Sequence, residues 1–204
     1  MDLALDTKSS YEKQIYSIGN KIIFAADIDH QSASILIKHL YELEECMLKD
    51  TKELSGLYKE KSSDYTNIVI QAKPILLELT TGGGNVMAAF SIINCMNNLK
   101  VDVHTIINGH VASAGTLISL AGKKRFIYKH SYVLIHEVRT NMWGKLTFLE
   151  DQYNNTQRMM NDIIDYYKKY LKMEDSELTA ILQRDKHMSA TDCLKINMID
   201  EILL

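Results

Sequence analysis

The amino-acid sequence predicts an α/β protein in which a parallel or mixed sheet is covered by helices. Short apolar runs of strand length alternate with segments whose apolar residues recur at three and four, the order expected when helices pack on a sheet. Three residues fit for chemistry follow or close such runs: Gly84 after 74–79, Ser113 after 101–107, and His136 at the end of 131–136. Pro74 is the only proline, so little interrupts regular structure.

At 204 residues and 46% hydrophobic, the chain can bury one substantial core, which predicts a single domain over 1–204. Its net charge of -3 is small and interspersed, against a nucleic-acid or membrane-surface binder. No apolar run reaches membrane-span length and the first residues lack a signal-peptide pattern, so a cytoplasmic location is expected. Cys46, Cys95 and Cys193 are odd in number and far apart, which suggests neither disulfides nor a zinc site; they read as small apolar side chains.

In order, a polar opening to about Tyr11 reads as mobile, and 22–24 as a short strand. Asp29 or Ser32 caps a helix through 34–43, on which His39 is a surface histidine. From Glu44 the sequence turns charged, with Gly56 and Ser62-Ser63 as breakers; 44–73 reads as an insertion or long loop with a doubtful helix. A strand over 68–70 and a better one over 74–79 lead to Gly82-Gly83-Gly84, then a helix over 86–96 with Val86, Ala89, Phe90 and Ile93 on one face. An alternating strand over 101–107, a small-residue turn over 109–115 and a helix over 116–121 follow. Strands over 126–128 and 131–136 lead to a loop with Trp143 and a long helix from near Thr147, whose apolar positions include Met160, Ile163, Tyr167 and Leu171. That stripe suits another subunit, with an internal core as the default. Short helices over 176–182 and 190–196 and, from Ile199, a short strand or an extended tail follow.

Glycine between a strand and a helix lets a ligand approach the unpaired N–H groups of the helix start. The sequence after Gly84 fits neither the phosphate-loop nor the dinucleotide pattern, which leaves an oxyanion site or a tight turn. Ser113 sits where a strand hands over to a helix, so it is a nucleophile or a helix N-cap. A serine nucleophile needs a base, a group that orients the base, and donors for the oxyanion. His136 and Asp185 supply the first two, and the N–H groups of Gly84 and Ala114 the last. The order Ser, His, acid differs from that of an α/β-hydrolase, whose elbow also has glycine where Val111 stands. His110 is a rival base only by nearness in sequence; His104, His130 and His187 lack ligand spacing, and neither a metal nor a cofactor is expected.

Gly83-Gly84 before a helix, Gly-x-x-Ala-Ser-x-Gly over 109–115, Ile135-His136, and Arg184-Asp185-x-x-x-Ser189-Ala190 followed by Ile199-Asp200 together resemble the proteolytic subunit of the ATP-dependent Clp protease (ClpP) family, from about Ile15 onward. The resemblance implies that Ser113, His136 and Asp185 are the catalytic set of a serine endopeptidase and Gly84 and Ala114 its oxyanion donors. It implies a ClpP/crotonase-like spiral of stacked β/α units, with a protruding handle made of a strand over 142–148 and the long helix. It further implies a homo-oligomer of two stacked heptameric rings around a chamber, in which unfolded protein or peptide pairs with edges near Gly83 and Thr140. The family docks an AAA+ unfoldase through aromatics; Glu78 and Asn98 stand in two of those places, which implies weakened or altered docking. Gly82 and Val138 replace expected prolines, changing turn stiffness alone. Two other readings remain: an idle structural subunit of a mixed ring, and a crotonase-like acyl-CoA thioester enzyme, which needs no Ser-His-Asp set.

Overall fold

The structure is a computed structural model that describes Tyr11, residues 14–61 and residues 70–204. Its order is β1 (Ile15–Ile18), β2 (Lys21–Phe24), α1 (His30–Lys61), β3 (Ile75–Thr81), α2 (Val86–Asn98), β4 (Val103–Ala112), α3 (Ala114–Leu120), β5 (Arg125–Tyr128), β6 (Tyr132–Leu134), α4 (Leu146–Tyr170), α5 (Asp175–Leu182), β7 (Met188–Ser189), α6 (Ala190–Lys195) and β8 (Glu201–Leu203). The sheet is mixed and covered by helices, as the alternation predicts. The main path is β1-β2-β3-β4-β5-β8, antiparallel only at the β1–β2 hairpin, while β6 joins β4 and carries antiparallel β7.

Alternation along β3 sends Ile75, Leu77 and Leu79 into the core beside Ile22, Phe24, Ile107 and Ile127, all fully buried. Leu36, Leu40, Ala88, Ala89 and Ile92 cover them from α1 and α2. Each large apolar side chain buried this way contributes about 1.5–3 kcal/mol. The buried stripe of α2 runs through Ala88, Ala89, Ile92 and Ile93, so Val86 and Phe90 lie at its margin.

The bend in β4 positions the site. Its residues 105–107 pair with β5, whereas 110–112 pair with β6, and the register with β3 shifts between Leu79 and Thr81. Gly109 turns the strand at φ +73° and its N–H donates to Ser131 Oγ at 2.8 Å. The strand thus runs to Ala112, and the predicted turn over 109–115 narrows to Ser113.

Several other expectations change. The helix expected over 34–43 continues to Lys61, so the stretch from Glu44 is helical there. Leu43 and Met47 extend its buried face, Thr51 Oγ1 donates back to the Met47 carbonyl, and Glu, Lys and Leu are strong helix formers whatever their charge. The rest of that stretch to residue 69, two of the three residues of the 68–70 strand and the polar opening before Tyr11 lie outside the described residues; Ile70 itself is in no strand. No strand forms over 142–148: residues 135–145 are irregular and α4 begins at Leu146. An extended segment needs a neighbour for its backbone groups, and no described strand lies alongside. Cys95 and Cys193 are buried as expected and burial pushes the Cys193 thiol up to about 12, but Cys46 is exposed. Asp29 provides the predicted cap, its Oδ1 accepting from Ser32 N at 2.7 Å while Ser32 Oγ accepts from Asp29 N at 2.9 Å. Among the described residues, no helix is long and apolar enough to cross a membrane, and no cluster of three or more metal-ligating side chains occurs.

Candidate active site

Ser113 lies between the end of β4 and the start of α3 with φ 53° and ψ -128°, a conformation that a residue with a Cβ rarely adopts. Its N–H donates to the Leu134 carbonyl of β6 at 2.8 Å, and its carbonyl accepts from Thr116 N at 2.9 Å and Thr116 Oγ1 at 2.6 Å. The backbone is therefore clamped on both sides while the hydroxyl makes no capping bond. That sets aside the N-cap reading. Behind the clamp, the Tyr167 hydroxyl lies 2.6 Å from Thr116 Oγ1; because that oxygen already donates to Ser113, the phenol is the donor. Tyr167 is fully buried, and burial pushes its pKa up.

The glycine run packs against this turn. A Cβ on Gly83 would lie 2.6 Å from Ser113 Cβ, and one on Gly84 would lie 2.2 Å from the Ile28 carbonyl oxygen. Both also have positive φ, 99° and 140°. Ile28 N donates to Gly83 O and Asn85 N to Ile28 O, so β2's exit fixes the run from outside. Asn85 Oδ1 caps α2 through Ala88 N at 2.9 Å. Among the described residues, no acceptor takes the N–H of Gly84 or of Ala114.

Ser113, Ala114, Gly84 and His136 line one cleft of about 280 Å³, floored by Leu117, Ile163 and Tyr167. His136 lies two residues past the end of β6 rather than in it. Its Nδ1–H donates to the Glu137 carbonyl at 2.6 Å, which leaves Nε2 as the basic nitrogen. Asp185 does not reach the histidine: its carboxylate is paired with the Arg139 guanidinium, and Arg139 lines the cleft. Gly83 touches the serine, whereas exposed Thr140 stands outside the cleft lining. His110 lines a separate hollow with Asp27 and Thr80 and packs 5.2 Å from His187, ring centre to ring centre. Sequence reasoning missed Arg139, Thr116 and Tyr167. The first is one arginine in a loop and the other two read as ordinary helix positions, so no local signal marked them.

Residues 65–204 match the family described as Clp protease. The chain is 32% identical over 134 residues to the ATP-dependent Clp protease proteolytic subunit of Borreliella afzelii, covering 65% of this chain and 68% of that one. It is 31% identical over 135 residues to the ATP-dependent Clp protease proteolytic subunit 1 of Borreliella burgdorferi, covering 65% and 70%. It is 31% identical over 134 residues to the ATP-dependent Clp protease proteolytic subunit of Borrelia garinii subsp. bavariensis, covering 65% and 69%.

Proposed function

The chain belongs to the Clp protease family of serine peptidases, and from that premise we propose that Ser113, His136 and Asp185 cleave peptide bonds through an acyl-enzyme. The observation that carries this reading is the elbow itself: a strained serine with an uncapped hydroxyl, in one cleft with His136, the one histidine among the described residues that line it, whose Nδ1–H bond to Glu137 leaves Nε2 to act as base. Ser113 Oγ attacks the carbonyl carbon while its proton passes to His136 Nε2. The resulting oxyanion is stabilised by the N–H groups of Gly84 and Ala114, held ready without a competing acceptor. Collapse breaks the C–N bond, His136 returns the proton to the leaving amine, and water hydrolyses the ester by the same route. Asp185, turned to His136 Nδ1, stabilises the imidazolium. A thioester enzyme would need the N–H donors alone and leaves the strain at Ser113 without a role.

The substrate is unfolded polypeptide or peptide, held near Gly83 and Thr140 by backbone hydrogen bonds. The chain works in the cytoplasm as two stacked heptameric rings. Support for assembly comes from the start of α4 and the loop before it, where Trp143 is 93% exposed and Leu146, Phe148 and Tyr153 are exposed as well. Docking to an AAA+ unfoldase is weakened or altered. Glu78 is engaged at 2.7 Å by both Lys21 Nζ and Asn108 Nδ2, and exposed Asn98 bonds the Asn94 carbonyl of its own helix, so polar groups stand where the family's aromatics are expected. A pull-down in which the chain binds a host Clp ATPase tightly without ATP would refute the docking proposal.

The test of the catalytic set is labelling with a fluorophosphonate located by mass spectrometry, with assembly checked by native mass. Label on Ser113 is expected, absent in Ser113→Ala and reduced by about 10⁴-fold or more in His136→Ala. An assembled particle that takes no label would overturn the proposal.

A further inference from the structure

We propose that Arg139 determines specificity by positioning Asp185: it holds the carboxylate off His136 until an acidic group of the substrate takes its guanidinium. The proposal rests on the catalytic set given above. In the structure both halves of the expected His136–Asp185 contact are committed elsewhere, Nδ1–H to the Glu137 carbonyl at 2.6 Å and the carboxylate to Arg139. Arg139 sits three residues beyond His136 and lines the cleft that holds Ser113, where the floor is apolar and Glu137 is the one carboxylate among the lining residues.

The contact is poised to exchange. The Arg139 and Asp185 side chains are 66% and 59% exposed, and ion pairs this wet are worth only about a two- to five-fold bias in population. When Asp185 turns to His136, Arg139 becomes an unpaired cation beside the reacting serine. A carboxylate on the bound peptide binds that state better than the closed one, and a ligand shifts an equilibrium by its differential affinity. The coupling is reciprocal, so an acidic substrate aligns the site that cleaves it. A guanidinium suits a carboxylate through paired N–H donors, whether it comes from a Glu or Asp side chain near the scissile bond or from a free C-terminus.

Three fluorogenic peptides separate those sources: one with Gln at a position within three residues of the cleaved bond and a C-terminal amide, one with Glu there and the amide, and one with Gln and a free acid. Each is assayed with the assembled wild-type chain, Arg139→Gln and Arg139→Lys, beside fluorophosphonate labelling. Wild type is expected to cleave at least one acidic peptide with a kcat about two- to five-fold above the neutral one. Arg139→Gln should raise kcat on the neutral peptide by a similar factor and erase the discrimination, and Arg139→Lys should keep part of it. A purely structural role would lower all three rates alike, and a purely binding role would move KM alone. Label on Ser113 with no acid preference, or with a preference that survives Arg139→Gln, overturns the role of Arg139 and leaves the catalytic set standing. No label and no cleavage in any of the chains overturns both.

Discussion

At Ser113 the backbone carries a cost that packing alone would not select. A residue held at φ 53° and ψ -128° costs on the order of 1–3 kcal/mol, and glycine would occupy the same place freely. Ser113→Gly is therefore expected to raise the stability of the chain by about 1 kcal/mol in urea denaturation while abolishing labelling. A variant less stable than wild type would show that the turn is not strained. Gly83 leaves no slack on the other side, since a methyl group there would sit 2.6 Å from Ser113 Cβ. The serine is thus trapped between the Leu134 carbonyl, Thr116 and the glycine run.

The element that braces this trap is α4. Of its apolar side chains, Ile163 and Tyr167 are the buried ones, and Tyr167 passes a hydrogen bond through Thr116 to the Ser113 carbonyl. Tyr167→Phe should cost about 1 kcal/mol of stability, the net worth of one hydrogen bond. Because the lost bond lies behind the nucleophile, the rate of Ser113 labelling should fall too. Unchanged labelling with the stability loss would mean that the brace serves folding alone. Helix α1 teaches something different: its charged second half keeps the helical backbone because its residue types favour helix, and Asp29 and Ser32 satisfy N–H groups at its start.

Across the whole molecule, β8 joins the sheet by pairing in parallel with β5, and Arg125 fastens the two. It is nearly buried and bonds Asp200 through its backbone N–H and side chain, at 2.8 Å and 2.5–3.1 Å, and the Asn197 carbonyl at 2.9 Å. Burial works against the Asp200 carboxylate, but these bonds outweigh it and hold its pKa below the usual range. On the opposite account stands the exposed apolar surface from Trp143 to Tyr153. If rings pair through it, Phe148→Glu should lower the native mass from the double ring toward single rings; an unchanged mass would place the interface elsewhere.

Much of this was legible in the sequence, since period and residue type act over a few neighbours. Apolar alternation in 75–79 and helical spacing in 86–96 mark β3 and α2, and the glycines before Asn85 mark the turn between them. Ser113, His136 and Gly84 are each ambiguous by themselves, a cap, a surface imidazole or a tight turn, but each follows or closes a strand-length apolar run, and the structure brings all three to one cleft. Tertiary structure alone decided the rest. Whether Asp185 faces His136 or Arg139 depends on loops 46 residues apart in sequence, and nothing local distinguishes the two partners. The strand expected over 142–148 likewise depends on a neighbour to complete its hydrogen bonds. Local pattern fixes what each segment can become, whereas a charge pair or an edge strand is settled by what lies across from it in space.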